Sequence, residues 1–469
     1  MDTVSYVRAC WVAMKMSLWF QTALLPEGWT PRVRLALAHG RIARIETGVE
    51  PGAGDERHAI GMPGLSNLHS HAFQRGMAGL AETRGPKSAE DGGDNFWTWR
   101  EVMYRFLDRL SPEDVEAIAM LAYVEMLETG FTRVGEFHYL HHDPSGAPYA
   151  NVAELAERVA AASREAGIGL TLLPVFYAHA NFGGAPPVPG QRRFINSVDG
   201  FATLMEKCRA LVASLDGASI GVAPHSLRAV TPEELEAVVL LAHGGPIHIH
   251  AAEQTKEVED SVAWSGARPV EWLLDNANLG ASWCLVHATH MTREETERLA
   301  RSGAVAGLCP ITEANLGDGV FPAETFLEAG GRFGIGTDSN VLIGAAGELR
   351  ALEYAQRLAH RARNLIPREA GRSTGRDLLG GALAGGAQVL GQVTSGLVMG
   401  GAADLVSLDS RHPSLAGRGG DAILDSWIFA GAPIDCVWRH GTKQVSGGRH
   451  ALREVAENRY REAMQRVLS

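Results

Sequence analysis

Cysteine is scarce in this 469-residue chain: five residues, an odd number with no paired spacing. That excludes a disulfide framework and fits a reducing compartment such as the cytoplasm. Long apolar runs are missing too, since no stretch approaches the roughly 20 residues that span a bilayer. The mildly apolar start has no basic flank and is interrupted by Lys15, so no signal peptide is expected. Positive charge is in deficit, with 43 Lys+Arg against 54 Asp+Glu and a formal net charge of −11, which argues against a nucleic-acid partner. Low-complexity segments are absent, and 45% hydrophobic with 21% charged residues excludes a disordered chain. Met14 and Met16 are alternative starts, so residues 1–15 are expected to be an extension.

What is present is an alternation. Short apolar runs occur at 60–68, 131–137, 169–177, 219–224, 246–251, 283–287, 304–309 and 333–337. Amphipathic helical patterns lie between them, among them one that opens with Thr231 as N-cap and Pro232 at its first position. Eight strands alternating with helices predict a (β/α)8 barrel within an α/β chain. A doubly wound sheet would alternate likewise, but no G-x-G-x-x-G follows the first strand, which removes its nucleotide-binding version. Residues 33–48, 403–409 and 435–450 show β-type runs, the first broken by His39-Gly40-Arg41 as a hairpin. The expected organisation is therefore a small β-sandwich from both chain ends (1–61 and 396–469, the latter with a terminal helix) around a catalytic barrel at 62–395.

The chain is rich in histidine, with 18 residues, and their placement is informative. Side chains at the C-terminal strand ends of such a barrel face the active site. Those ends read His69 and His71, Glu136 and His138, His179, His225, His248 and His250, His287, Cys309 and Asp338. His69 and His71 are two apart in an extended chain, so both imidazoles reach one ion. Together with His250, His287 and Asp338 they offer an N/O donor set suited to zinc or another divalent transition metal. His248 shares a face with His250, but His250 is followed by Glu253, a carboxylate placed for proton transfer beside a metal. His248 is thus read as a core residue. His58, His141, His142, His360, His412 and His450 are read as surface or loop residues, and Trp97 and Trp99 as core packing. Cys309 has no histidine pairing evident and is read as structural. Gly317-Asp318-Gly319 is too short a motif to bind phosphate. The Gly/Pro-rich residues 183–194 read equally as a surface loop or as a lid over the site.

With these residues in place, the chain resembles the amidohydrolase superfamily, from GMPGLSNLHSH at its entry to GTDSN at its exit. The resemblance implies that His69, His71, His250 and Asp338 hold one divalent metal, Zn2+ with Fe2+ as the alternative, and that Glu253, His287 and Asp338 are catalytic. No lysine ends a barrel strand to bridge two metals; Lys256 lies past Glu253, in the expected helix. The segments NLHSHAFQRGMAGLAE, FWTWRE, APHSLRAV, HIHAAEQ and CPITEANLGDG are similar to the formimidoylglutamate deiminase family. That likeness implies Gln74, Arg100, Tyr139, His225 and Arg228 as substrate contacts, a homodimer, and release of ammonia from a linear amidine in histidine degradation.

Elementary electrostatics points the same way. Such a substrate carries two carboxylates, which a chain of net charge −11 repels unless local cations compensate. Arginine's planar fork suits carboxylates, and Arg100 and Arg228 are placed to serve. The competing readings are a deaminase of a ring substrate (guanine, cytosine or an adenosine derivative), which needs a flat apolar pocket, and a non-catalytic scaffold, which would lack several ligands.

Overall fold

A computed structural model describes residues 16–85 and 93–469; the expectation about residues 1–15 lies outside them. Two β systems share the chain. Strands β1 (Met16–Leu25), β2 (Gly28–Ala38), β3 (Arg41–Glu46) and β4 (Glu56–Pro63) open it. Nine barrel segments follow: β5 (Leu65–Ser70), β6 (Phe131–His138), β7 (Gly169–Phe176), β8 (Ser219–Ile220), β9 (Ala223–Pro224), β10 (Ile247–Ala251), β11 (Trp283–His287), β12 (Val305–Leu308) and β13 (Arg332–Ile335). Strands β14 (Leu405–Leu408), β15 (Ile434–Arg439), β16 (Thr442–Ser446) and β17 (Arg449–His450) then return to the opening group.

The two ends form one eight-stranded sheet, ordered β17-β16-β15-β14-β4-β1-β2-β3. Leu18, Val33, Leu35, Ile42, Leu405 and Trp438 belong to one buried cluster although β15 and β2 stand four strands apart in that order. The sheet therefore curls to enclose its own core. His39 (φ 49°) and Gly40 (φ 73°) make the expected β2–β3 turn, the left-handed pair that a two-residue hairpin needs. Asp55 pins the sheet's rim, its carboxylate accepting from Ser17 Oγ (2.7 Å), Gly52 N–H (2.6 Å) and Arg34 Nε (2.9 Å). Burial alone would raise this carboxyl, but these donors hold it below its usual range. A depressed carboxyl stabilises the fold above its unfolded value, about 3.9, and the contribution is lost as pH falls through the lower folded value. Asp55→Asn should therefore cost about 1–2 kcal/mol at pH 7. In urea unfolding, the gap from wild type should shrink below about pH 4; a gap independent of pH would refute the assignment.

The run at 60–68, expected as one strand, is two. Gly64 separates β4, which pairs antiparallel with β14, from β5, which pairs parallel with β6. A Cβ on Gly64 would lie 2.4 Å from Thr132 Cγ2, so the redirection demands glycine. The fourth barrel strand is likewise broken, into β8 and β9. Strands β5 to β8 form one parallel run and β10 to β13 another. Two seams close them into a barrel. At one, Val222 N–H donates to Pro246 O and His250 N–H to His225 O; at the other, Thr337 and Asp338 N–H donate to His69 O, and His71 N–H to Asp338 O. Leu68 fills the interior beneath the site with Val286, Val305, Val389 and Leu390, and Gly334 makes room, since a Cβ there would meet Leu68 Cδ2 at 2.4 Å. The barrel helices cap as their sequences indicate: Thr231 Oγ1 accepts from Glu234 N–H ahead of Pro232–Leu240. Among the described residues no helix is long and apolar enough to cross a membrane.

Candidate active site

The strand exits converge above Leu68. His69 lies on β5, His71 directly after it, His250 on β10 and Asp338 just past β13. His250 Nε2 sits 3.1 Å from His69 Nε2, and Asp338 Oδ1 lies 3.4 Å from His69 Nε2 and 3.1 Å from His71 Nε2. One donor atom from each of the four falls within 4.8 Å of the others. The second ring nitrogens settle what the inner ones carry. His71 Nδ1 faces Phe137 O (2.9 Å) and His250 Nδ1 faces His225 O (3.0 Å). A carbonyl can only accept, so each Nδ1 donates to it, and the neutral His250 ring turns its Nε2 lone pair inward. Burial pushes His69 down to about 3 and His250 well below its usual value, which keeps them neutral. The His250 lone pair thus points into a cluster that also holds the Asp338 carboxylate, and three imidazoles with one carboxylate suit a divalent transition metal.

Backbone strain accompanies the cluster. His287 (φ 67°), Asp338 (φ 44°), Ala252 (φ 51°) and Asn340 (φ 54°) sit in the left-handed region at strand exits, which non-glycine residues occupy at a cost of about 1–3 kcal/mol each. Buried amides hold the turn at residues 338–340, and the Glu257 carboxylate accepts from Ala252 N–H (3.1 Å). Asn340 Nδ2 contacts Ser70 Oγ, His71 O and Asp338 O, each at 3.1 Å, while Asn67 Oδ1 accepts from Thr337 N–H (3.0 Å). Neither asparagine carries a local signal that singles it out; the GTDSN segment that contains Asn340 is the nearest hint.

Beside the cluster stands a buried chain of ionisable groups. His287 Nε2 is 3.7 Å from Glu253 Oε1 and 3.8 Å from Asp338 Oδ2, and its Nδ1 is 3.3 Å from Glu313 Oε1. Burial would lower the His287 imidazolium, but Glu253, Glu313 and Asp338 overcome that and raise it to about 10. Burial pushes the Glu253 carboxyl up, a shift tempered by His287 and Arg228. Arg228 Nη2 lies 3.9 Å from Glu253 Oε2. Glu313 is not among the expected site residues, although it lies inside CPITEANLGDG; it also accepts from Cys309 N–H (2.9 Å). Cys309 itself is buried and its thiol is pushed well up by burial.

The pocket over these groups is aromatic, walled by Phe96, Trp99, Tyr104, Tyr139, Tyr177 and Phe194. Gln74, Arg100 and His225 line it as well. Gln74 Nε2 donates to Tyr139 Oη (2.6 Å), which contacts Met103 Sδ (3.2 Å), leaving Gln74 Oε1 with no partner. Arg228 is buried against Phe96 and Trp97, its Nε and Nη2 without hydrogen-bond partners among the described residues. Arg100, half-buried, stacks 4.5 Å from the Trp97 ring.

Several residues sit elsewhere than their sequence context suggests. Trp97 and Trp99 are both half-buried: Trp97 is stacked on the arginines and not on the core, whereas Trp99 packs against the core, as expected, and also lines the pocket. His138 and His179 do not line the pocket; His179 pairs with Glu234 (2.9 Å), and the residues that follow β6 and β7 into the wall are Tyr139 and Tyr177. His141, His142 and His450 are buried rather than superficial, each facing a main-chain carbonyl: Val175, Ile195 and Ala166. His248 is a core residue, as expected, facing Val389 O (2.9 Å). Lys256 pairs with Asp260 (2.8 Å) away from the cluster. Residues 183–194 divide: 186–189 are exposed, whereas Gln191, Arg193 and Phe194 are buried, with Arg193 bonded to His142 O and Leu110 O. The second part is a fixed wall.

The convergent donors make a stability prediction. An ion that binds the folded chain alone stabilises it by about 2.7 kcal/mol at one hundred times Kd. Protein saturated with Zn2+ should therefore melt several degrees above the same protein after chelation. Identical calorimetric Tm values would rule out a metal at this cluster.

Fold and cluster together define a metal-dependent (β/α)8 hydrolase. Residues 60–443 match the amidohydrolase family, and residues 18–59 match the N-terminal domain of formimidoylglutamate deiminase HutF. The chain is 49% identical to the formimidoylglutamate deiminase of Pseudomonas aeruginosa over 96% of its own length and 99% of that protein's. It is 30% identical to a 5-methylthioadenosine/S-adenosylhomocysteine deaminase of Natronomonas pharaonis, over 84% of this chain and 83% of that one. The crystal structure of an amidohydrolase from Brucella melitensis superposes with a TM-score of 0.93 at 57% identity, covering 97% of this chain and 100% of the other. The chain belongs to the amidohydrolase family, in its formimidoylglutamate deiminase branch.

Proposed function

We infer that the enzyme hydrolyses N-formimidoyl-L-glutamate to N-formyl-L-glutamate and ammonia, a step of histidine degradation. The observation that carries this reading is Arg228: a buried guanidinium with two unpartnered nitrogens beside the acid/base cluster. A buried cation without hydrogen-bond partners is costly unless an anion completes it, and a substrate carboxylate does so. Arg100 takes the second carboxylate at the mouth, while Gln74 Oε1, Tyr139 and His225 orient the chain between.

His69, His71, His250 and Asp338 hold the ion, Zn2+ in this reading with Fe2+ as the alternative. When bound, it supplies Lewis acidity and lowers the pKa of water toward about 7. Asp338 orients the attacking water through Oδ2 and takes its proton. The water oxygen bonds to the formimidoyl carbon as the C=N π pair moves to nitrogen, and His287, steadied by Glu313, donates a hydrogen bond to that incoming oxygen. Glu253 delivers a proton to the departing nitrogen; as the C–N bond breaks, the new hydroxyl returns its proton to Glu253 and becomes the formyl carbonyl, and ammonia leaves with the proton held by Asp338. The cationic amidine head is matched by Glu253 and Asp338. The same reading makes the enzyme a cytoplasmic homodimer with no nucleic-acid partner, the last supported by its net charge of −11.

The second reading is deamination of a ring, favoured by the aromatic wall; the buried Arg228 weighs against it, because a neutral ring without carboxylates leaves two of its donors, Nε and Nη2, without an acceptor. Ammonia release decides between them. Formimidoylglutamate should turn over at least about a hundredfold faster, in kcat/KM, than guanine, cytosine or an adenosine derivative, since leaving two buried charged donors without an acceptor costs roughly 3 kcal/mol or more. Turnover of a ring alone would overturn the assignment.

A further inference from the structure

A second cluster of donor atoms lies outside the barrel, on the curled sheet. His58 Nδ1, Asp435 Oδ2 and Cys436 Sγ fall within 4.8 Å of one another. Asp435 and Cys436 are consecutive, and in a regular strand they would point to opposite faces. The β14–β15 register shows why they do not. Ser407 pairs with Cys436 and Leu408 with Ile434, so Asp435 is the extra residue of a β-bulge. A bulge re-aims side chains, and Cys436 Sγ comes to 3.5 Å from Asp435 Oδ2.

His58 approaches the same oxygen from β4, its Nδ1 at 3.7 Å. Its other nitrogen, Nε2, is 2.8 Å from Glu56 Oε1, and Glu56 is itself paired with Lys443. The carboxylate places a proton on Nε2, which leaves Nδ1, the nitrogen that faces Asp435, as the one that can bind an ion in exchange for any proton it carries. A 3.7 Å separation is too long for a hydrogen bond. A carboxylate-anchored imidazole with its free nitrogen facing other donors is the arrangement of metal-ligating histidines. The ring is clamped in that orientation by Trp438 (4.9 Å) and Phe20 (5.7 Å).

We propose that His58, Asp435 and Cys436 form a second metal site, for a borderline or soft divalent ion of the zinc class. Nitrogen, oxygen and sulfur donors in threes suit such an ion and leave one position for water. Binding converts the Cys436 thiol to thiolate, its proton passing to solvent, with no change of oxidation state. The ion joins β4, near the start of the chain, to β15, near its end, across the intervening β14. It is a structural clasp on the sheet, separate from the barrel cluster.

Sulfur makes the site separable from the catalytic one, whose four ligands include none. Protein with its barrel cluster already filled by Zn2+ should bind one further equivalent of Co2+ per chain, with a thiolate-to-cobalt charge-transfer absorption. Cys436→Ser should lower total metal from two to one per chain and abolish that absorption while kcat is unchanged. One metal per chain in the wild type, or an absorption that persists in Cys436→Ser, would overturn the site. A measurement on the wild type alone stands if the variant misfolds. With the barrel cluster filled, further Zn2+ at about ten times Kd should slow alkylation of Cys436 about tenfold. Alkylation at an unchanged rate overturns the proposal equally.

Discussion

Glu253→Gln is expected to keep its catalytic metal and to lose about 10²–10⁴-fold in kcat, the range for a positioned acid or base. The amide is nearly isosteric with the carboxylate, so packing and Arg228 stay in place. The local backbone does not depend on the side chain, because Ala252 N–H and Glu253 N–H are held by the Glu257 carboxylate at 3.1 and 3.2 Å. The four residues proposed to hold the metal, His69, His71, His250 and Asp338, are untouched. What disappears is a group able to carry a proton between the attacking water and the leaving nitrogen. Metal analysis alongside steady-state kinetics separates this loss from loss of the ion. Wild-type kcat with full metal content would remove Glu253 from the reaction.

Arg228→Met should reduce kcat/KM by roughly 30- to 5,000-fold, corresponding to 2–5 kcal/mol for one partner of a desolvated charge pair. Most of that loss should appear in KM, since in the proposed reading the guanidinium holds the substrate's tail and not the reacting carbon. Arg100→Met offers the contrast. Arg100 is half-buried over Trp97, and a partly solvated ion pair contributes only about 0.2–1 kcal/mol, so its loss should be within about fivefold. Parallel Michaelis–Menten curves for the two variants test this ordering. Equal losses, or a larger loss for Arg100→Met, would place the principal carboxylate contact at the mouth and not in the buried wall.

Much of the metal cluster is legible in the amino-acid sequence. His69 and His71 show the period of two, and His250 and Asp338 each follow a short apolar run, so the strand-end rule of a barrel gathers them. Glu313, Asn67 and Asn340 are invisible to that rule. Their work is hydrogen bonding across strands far apart in the sequence, which no local pattern displays. His141, His142 and His450 are hidden for a related reason: a buried histidine that faces a backbone carbonyl has no side-chain partner to betray it. The tryptophans mislead differently. Two apart on the helix Phe96–Leu107, they face different ways, and nothing local says that Trp97 meets the arginines while Trp99 meets the core and the pocket wall. The run at 60–68 is continuous in hydropathy, and the break at Gly64 is steric, set by Thr132 from the next barrel strand.

The strand order β15-β14-β4-β1 has a consequence for biosynthesis. Strand β4 finds β1 early, but its other edge waits for β14, which leaves the ribosome only after the whole barrel has been made. At about 5–20 residues per second that delay is tens of seconds. Throughout it Ile60, Gly61 and Met62 present unpaired amides and carbonyls on an open edge, a template for association between nascent chains. Chains truncated before Ala403 keep that edge permanently, so they should aggregate even where the barrel has closed.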